Sequence, residues 1–115
     1  MKTLNIALCS GRHEIPQATD GAIFGAIEDV TNINALDEKA AKALTPYYKG
    51  EGNVNVYVTG LTVALVSVIN VACSHGVNLT LWHYNAADGS YYPQYVATRV
   101  DADLVKESYG GYSVR

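Results

Sequence analysis

The feature that most constrains the fold of this chain is the segment of residues 54–70, VNVYVTGLTVALVSVIN. It begins with a short apolar run typical of a buried strand, turns at Thr59 and Gly60, and continues into a helix that is apolar on nearly every side. In open α/β sheets, ligands and above all phosphate groups are usually held at such strand-to-helix corners, at the carboxyl edge of the sheet. The segment therefore predicts an α/β fold and indicates where a ligand would bind.

The rest of the chain continues this alternation of strands and helices. Strands are predicted at residues 4–9, 54–59, 78–84 and 91–96, and helices at residues 35–44 and 61–75. Residues 22–27 fit either a short strand or an apolar loop, and both interpretations stay open. The order β-α-β-α-β-β predicts a small Rossmann-like α/β fold, with a mostly parallel sheet and an antiparallel hairpin at one edge.

Particular residues predict where the elements end. Asn34 is expected to cap the first helix, with Asp37 and Glu38 in its first turn, where acidic groups favour the positive end of the helix dipole. Gly76 follows the second helix as a natural left-handed terminator. Pro93 has no backbone N–H, so the last strand is expected at the edge of the sheet.

The size and charge of the chain limit its domain count and its partners. With 115 residues, of which 49% are apolar, the chain supports one compact core. We expect a single α/β domain over residues 1–100, followed by residues 101–115 as a tail or an oligomerisation arm. The net charge of −3 and the scattered cations exclude a general binder of long nucleic acids, which needs a basic stripe. A small anionic ligand is compatible with this charge.

The two cysteines and the apolar segments indicate the compartment. Cys9 and Cys73 lie in apolar runs without a Cys-x-x-Cys spacing or a Cys/His cluster, so the sequence predicts no metal site, no disulfide and no cofactor. The N-terminal apolar run is too short for the core of a signal peptide, and the second helix is too short and too often interrupted to cross a bilayer. The sequence therefore predicts a soluble cytoplasmic protein without a membrane partner.

Two corners of the predicted sheet contain most of the candidate ligand-binding residues. If the first two long strands are parallel neighbours, their carboxyl ends lie side by side and both corners open onto one crevice. Gly11 and Gly60 would let a ligand approach the backbone, and Arg12 would hold phosphate as a bidentate fork. Thr62 would cap the helix or meet an oxyanion. Each residue also has an ordinary explanation, as a turn glycine, a helix cap or a solvated charge. The corner residues are Ser10, Gly11, Arg12, His13, Thr59, Gly60, Leu61 and Thr62.

The aromatic residues form a second group of candidates. The chain contains nine tyrosines and one phenylalanine, and several of the tyrosines cluster on the terminal hairpin. Trp82 and Tyr84 share one face of their strand, where cross-strand pairing would bring Tyr91 or Tyr95 beside them. Such a cluster suits a base-stacking platform, a subunit or protein interface, or ordinary packing at a sheet edge. Trp82 and Tyr84 complete the set of candidate ligand-binding residues.

The second helix also predicts self-association. It is apolar on both sides, and only Ser67, Asn70 and Ser74 form a thin polar seam. A helix of this kind needs burial on more than one side, whereas one sheet face covers a single side. The simplest way to bury the other side is a second copy of the chain, packed helix to helix across a two-fold axis. The sequence therefore predicts a homodimer or a higher homo-oligomer. The alternative is that the N-terminal loop and the tail cover the outer side of the helix.

The second corner resembles a known ligand-binding motif. A strand followed by Thr-Gly-x-Thr, here residues 59–62, and an apolar helix is similar to the nucleotide-binding corner of CRISPR-associated Rossmann-fold (CARF) sensor domains. The size of the chain and the polar loop CSGRHEIP resemble the ring nucleases of that fold, and the whole chain resembles short proteins of phages and mobile elements. The resemblance implies a dimeric site for a cyclic oligonucleotide. The chain departs from the sensor motif, which usually has two glycines in the turn, and it has no Lys after Thr62.

The sequence leaves two functions open. The first, implied by the resemblance, is a phage-type anti-defence protein that binds and sequesters a cyclic nucleotide immune messenger in the cytoplasm of a bacterial host cell. Sequestration is expected rather than metal-independent ring-nuclease cleavage, because no catalytic constellation is evident around Ser10, Arg12 or His13. The alternative is a protein-interaction inhibitor or scaffold that acts through an acidic, tyrosine-rich surface.

Overall fold

A computed structural model describes residues 2–11 and 14–97 of the chain. Its elements are β1 (Thr3–Cys9), β2 (Ala22–Phe24), α1 (Ile33–Leu44), a 3₁₀ segment (Thr45–Gly50), β3 (Asn53–Tyr57), α2 (Thr62–His75), β4 (Leu79–Asn85) and β5 (Ser90–Val96). Every predicted strand and helix is present, with boundaries that differ from the prediction by at most two residues. The segment left open at residues 22–27 is a strand over its first three residues. The predicted tail, residues 101–115, lies outside the described residues.

The five strands form one mostly parallel sheet in the order β2-β1-β3-β4-β5. Strands β1, β2, β3 and β4 are parallel to their neighbours, and β5 runs antiparallel to β4. The structure therefore confirms the predicted α/β class, with a small Rossmann-like sheet and an antiparallel hairpin at one edge. Pro93 lies in β5, so its predicted position on an edge strand is also confirmed.

Both helices cover the same face of the sheet and contact each other, which gives a two-layer molecule. Alternate residues of β1, β3 and β4 point towards the helices, as the period of a strand requires. The buried apolar residues that meet there are Ile6, Leu8, Val54, Val56, Leu79 and Leu81 from these strands, Leu36, Ala40 and Leu44 from α1, and Ala64, Val68 and Ala72 from α2. The opposite face has no helix over it within the part of the chain that the structure describes.

The N-terminus of α1 corrects one prediction. The N-cap is Asn32, whose side-chain oxygen accepts a hydrogen bond from the backbone N–H of Ala35 at 3.2 Å, and Asn34 lies inside the helix. Asn32 directly follows a turn in which the Asp29 carboxylate accepts hydrogen bonds from the backbone N–H and the hydroxyl of Thr31. Because the helix begins earlier than predicted, its first turn contains no acidic residue.

The burial of α2 differs from the predicted pattern. The helix ends at Gly76, which adopts φ +64 as predicted, but Ser67 is buried and is not part of an exposed polar seam. The sheet and α1 together cover two sides of α2, and Val66, with 48% of its surface exposed, is its one large exposed hydrophobic residue. Several other apolar residues of α2 are only partly buried, and the predicted association through this helix stays a prediction. Within the described residues, neither helix has the length and apolar content needed to cross a membrane.

The two neighbouring asparagines provide a test of the N-cap. Replacing Asn32 by Ala removes the acceptor for the Ala35 N–H, and we expect the free energy of unfolding to fall by about 1 kcal/mol. Asn34→Ala is the matched control and should change it by no more than about 0.5 kcal/mol, since Ala is favoured inside a helix. Chemical denaturation of both variants measures the difference. A larger loss in Asn34→Ala would contradict the observed cap.

Candidate functional site

The carboxyl ends of β1 and β3 form two adjacent bends, the first bend at residues 9–11 and the second bend at residues 58–60. The two strands are direct neighbours, with Ala7 opposite Tyr57. Thr59 joins the bends, because its hydroxyl accepts a hydrogen bond from the Cys9 N–H at 3.1 Å and donates one to the Cys9 carbonyl at 3.0 Å. The hydroxyl thus takes the place of a backbone partner just beyond the last rung of the β1–β3 ladder.

Backbone contacts fix the course of each bend. At the first, the N–H of Ser10 donates to the carbonyl of Phe24 at 2.8 Å, and at the second, the N–H of Val58 donates to the carbonyl of Trp82 at 2.9 Å. Gly60 then turns the chain with φ +65, a left-handed conformation that a side chain would strain. Because both bends are tied to neighbouring strands, they are rigid parts of the sheet edge.

The bends open onto a cleft of about 720 Å³, a volume typical of sites for small molecules. The two bends form its floor. Residues 14–17 of the loop after β1 form one wall, and Tyr84, Gly89 and Tyr91 of the terminal hairpin form the other. The predicted shared crevice at the carboxyl edge of the sheet is therefore present.

The structure brings half of the predicted ligand-binding residues together in this cleft. The lining contains Ser10, Gly11, Thr59, Gly60 and Tyr84. The side chain of Thr59 is already engaged by the Cys9 backbone, so its role there is to position the two bends. Arg12 and His13, which directly follow the first bend in the sequence, lie outside the described residues.

Leu61, Thr62 and Trp82 do not line the cleft. Leu61 packs against the core at the N-cap of α2 and supplies no side-chain cap, and Thr62 is the exposed first residue of the helix. The predicted capping role of Thr62 is therefore wrong, because the helix begins at Thr62 itself, one residue earlier than a cap at this position requires. Trp82 is turned away from the cleft lining, and its indole N–H donates to the side-chain oxygen of Asn55 at 3.0 Å.

The hairpin wall of the cleft is an aromatic cluster that the sequence showed only in part. The Tyr91 ring lies edge-on to Tyr57, with ring centres 5.2 Å apart, and meets Tyr84 at 5.4 Å. Tyr57 is buried and stacks on Trp82. The alternation in VNVYV, with three valines facing the helices, placed Tyr57 on the opposite face of the sheet, and this was the signal that could have identified it. The cluster holds Tyr91 in place beside the cleft.

The ionisable groups at the cleft favour binding over covalent chemistry. Burial raises the pKa of the Cys9 thiol, and hydrogen bonds from the Leu61 backbone and the Thr59 hydroxyl offset this only in part. The thiol is therefore protonated at neutral pH and is not an activated nucleophile. Burial, and then the neighbouring Tyr91, raises the pKa of Tyr57. Glu14 is the one carboxylate in the described lining.

Other parts of the described chain offer less for ligand binding. A cavity of about 620 Å³ between residues 24–32 and α1 is lined by both acidic and basic side chains, and it has no aromatic wall facing strand-end bends. Among residues 2–11 and 14–97, no three His, Cys, Asp or Glu side chains converge as metal ligands would. The cleft at the sheet edge is accordingly the candidate functional site.

Comparisons of the chain with protein-family models, with curated proteins and with solved structures found no match. The resemblance to CARF sensor domains thus stays a prediction.

Two threonines test the link between the bends. Thr59→Val keeps the shape of the side chain but leaves the N–H and carbonyl of Cys9 without their partner, so we expect the free energy of unfolding to fall by about 1–3 kcal/mol. The matched control is Thr62→Val, an exposed threonine three residues away, which should change it by no more than about 0.5 kcal/mol. Urea denaturation measures both. Equal losses in the two variants would contradict the bridging role of Thr59.

The raised pKa of Tyr57 predicts a pH dependence of stability. The folded state disfavours the ionised Tyr57, so its contribution is constant below the ordinary pKa of 10.0 and is lost as the pH rises from there through the higher pKa of the folded state. The free energy of unfolding of the wild type should therefore fall more steeply above pH 10 than that of Tyr57→Phe. Tyr92→Phe, on an exposed tyrosine, is the control and should follow the wild type. Identical curves for all three proteins would refute the raised pKa.

Proposed function

We propose that the protein binds a small anionic ligand with a flat aromatic ring in the cleft, and that this ligand is a cyclic nucleotide signal which the protein sequesters. The observation that carries the proposal is that two linked backbone bends and a tyrosine wall line the same cleft. The backbone at Gly11 and Gly60 is open to the approach of a phosphate oxygen, and tyrosine rings suit a base. The resemblance to CARF domains favours a cyclic nucleotide within this ligand class.

The bends leave room for a phosphate group. A Cβ added to Gly11 or to Gly60 would meet no other atom within 4 Å, so a ligand can approach the backbone at both positions. The exposed Ser10 lies between β1 and Gly11 and offers a hydroxyl. Arg12 follows in the sequence, and its guanidinium would supply the positive charge that phosphate requires.

The tyrosine wall orients the ligand. Tyr84 is 55% exposed, which leaves a large part of its ring available for stacking, and Tyr91 holds it from the side. The Glu14 carboxylate repels phosphate but accepts hydrogen bonds from ring N–H groups. The base would therefore lie towards Glu14 and the tyrosines, with the phosphate over the two bends.

Several features support sequestration over cleavage. The Cys9 thiol is protonated at neutral pH, and Glu14 is the only carboxylate of the described lining, so that lining contains neither an activated nucleophile nor a pair of carboxylates. A protein that holds the messenger intact lowers the concentration of free messenger in the host cytoplasm by mass action. In a phage-type anti-defence protein, this would keep the messenger from the effectors that it activates.

Two exposed tyrosines test the ligand site. Titration calorimetry with a panel of cyclic dinucleotides and cyclic oligonucleotides should identify a ligand that the wild type binds. Tyr84→Ala removes the stacking ring and should weaken binding about tenfold, since one stacked base is worth about 1–3 kcal/mol. Tyr92→Ala is the matched control, because Tyr92 is 51% exposed and lies on the opposite face of the hairpin. Its affinity should equal that of the wild type.

The fate of the ligand separates binding from catalysis. After incubation and denaturation of the protein, chromatography should return the cyclic ligand intact. Recovery of a linear product would replace sequestration with cleavage, and it would direct attention to Arg12 and His13. The absence of binding to any member of the panel at millimolar concentration would remove the proposal.

A further inference from the structure

The face of the sheet that the helices leave uncovered contains a neutral patch next to the cleft. We define this neutral patch as Asn5, Asn55, Thr80, Trp82, Pro93 and Tyr95, which come from four neighbouring strands. The register pairs Thr80 with Tyr95 and Trp82 with Pro93, so these side chains point to the same face of the sheet. Tyr95 is 58% exposed.

Three polar side chains of the neutral patch, those of Asn5, Asn55 and Trp82, are hydrogen-bonded to one another. The Asn55 amide donates to the side-chain oxygen of Asn5 at 2.9 Å, and the Trp82 indole N–H donates to the side-chain oxygen of Asn55 at 3.0 Å. One hydrogen-bonded chain therefore crosses β1, β3 and β4. Because these groups find their partners within the sheet, a surface that covers the patch leaves them satisfied.

The strands that form the neutral patch are uncharged. The net charge of the chain is −3, yet none of the five described strands contains Asp, Glu, Lys or Arg. The Asp20 carboxylate, which accepts a hydrogen bond from the Asn5 backbone N–H, lies at the margin of the patch. Two copies that meet through the neutral patch thus bring no like charges together at its centre. Tyrosine and tryptophan are enriched and charged residues depleted in the buried cores of protein interfaces, which is the composition found here.

Pro93 limits how a second copy would join. The Trp82 carbonyl accepts a hydrogen bond from Val58, so it faces β3 and not β5. Pro93 lies opposite Trp82, so the backbone groups of Pro93 point away from β4, towards the outer edge of β5. Proline has no backbone N–H, so a strand added at this edge would find no hydrogen-bond donor here. Pairing along the outer edge of β5 is interrupted at its middle, so this edge next to the neutral patch does not offer a continuous site for an added strand.

We propose that two copies of the chain associate face to face through the neutral patch, with the helices on the outside. Four strands of five to seven residues give a flat area on the order of 400 Å², from the spacing of strands and residues in a sheet. Two such faces bury on the order of 800 Å² in total, which is less than the roughly 1,200 Å² of a stable specific interface, so the dimer is a weak one that dissociates on dilution. The proposal does not depend on the ligand of the cleft, and it is an alternative to the helix-to-helix contact predicted from the sequence.

The dimer is tested by sedimentation equilibrium of the full chain over a range of concentrations. The wild type should show a monomer–dimer equilibrium, and Tyr95→Lys should be monomeric at every concentration because it places a charge in each half of the interface. The matched control is Val66→Lys on the outer side of α2, which changes a residue of similar exposure and should dimerise like the wild type. Circular dichroism confirms that both variants fold.

The single tryptophan of the chain gives a second measurement, because Trp82 lies within the neutral patch. Its fluorescence should shift to longer wavelength as the wild type is diluted, and Tyr95→Lys should show the monomer spectrum throughout. Loss of the dimer in Tyr95→Lys alone, with this shift in the wild type, supports the proposal. A wild type that is monomeric at all concentrations, a dimer in Tyr95→Lys, loss of the dimer in Val66→Lys, or an unchanged wild-type spectrum overturns it.

Discussion

The hydroxyl of Thr59 is the contact on which the arrangement of the cleft depends. Two strands that merely lie side by side do not fix the chain beyond their ends, since the ladder of backbone hydrogen bonds stops there. Here the Thr59 side chain bonds both backbone groups of Cys9, and so holds β1 and β3 together beyond their last backbone pair, Ala7 and Tyr57. The left-handed turn at Gly60 follows at once, so the two bends keep a fixed separation while their outer sides stay open.

The order of strands and helices could be predicted because it depends on local patterns. The run of residues 54–70 shows a strand, a turn and a helix without reference to the rest of the chain, and Gly76 and Pro93 obey rules that act within one element. The errors arose where two local patterns were equivalent. Asn32 and Asn34 both suit an N-cap, and the choice was made by the turn before them. In a helix as uniformly apolar as α2, periodicity could not show that Ser67 faces inwards.

The floor of the cleft could also be predicted, because parallel neighbouring strands must end at the same edge of a sheet. Its walls could not. The contact between Tyr57 and Tyr91 depends on the register of three strands, which no single segment specifies. Glu14 lines the cleft together with residues of the hairpin, and this long-range proximity has no sequence pattern. Thr62 was misassigned for a different reason, since a threonine at the start of a helix suits the cap and the first helical position alike.

The loop that leads from β1 to β2 lines the cleft but contributes little to the apolar core. Parallel neighbouring strands are usually joined through a helix that packs on the sheet, but residues 14–17 lie in a connection without one and are not part of the apolar core. Substitutions in this wall of the cleft therefore leave the folding of the domain almost untouched. If the cleft binds the proposed ligand, the residues of this wall can change to fit a different ligand without a compensating gain in the stability of the core.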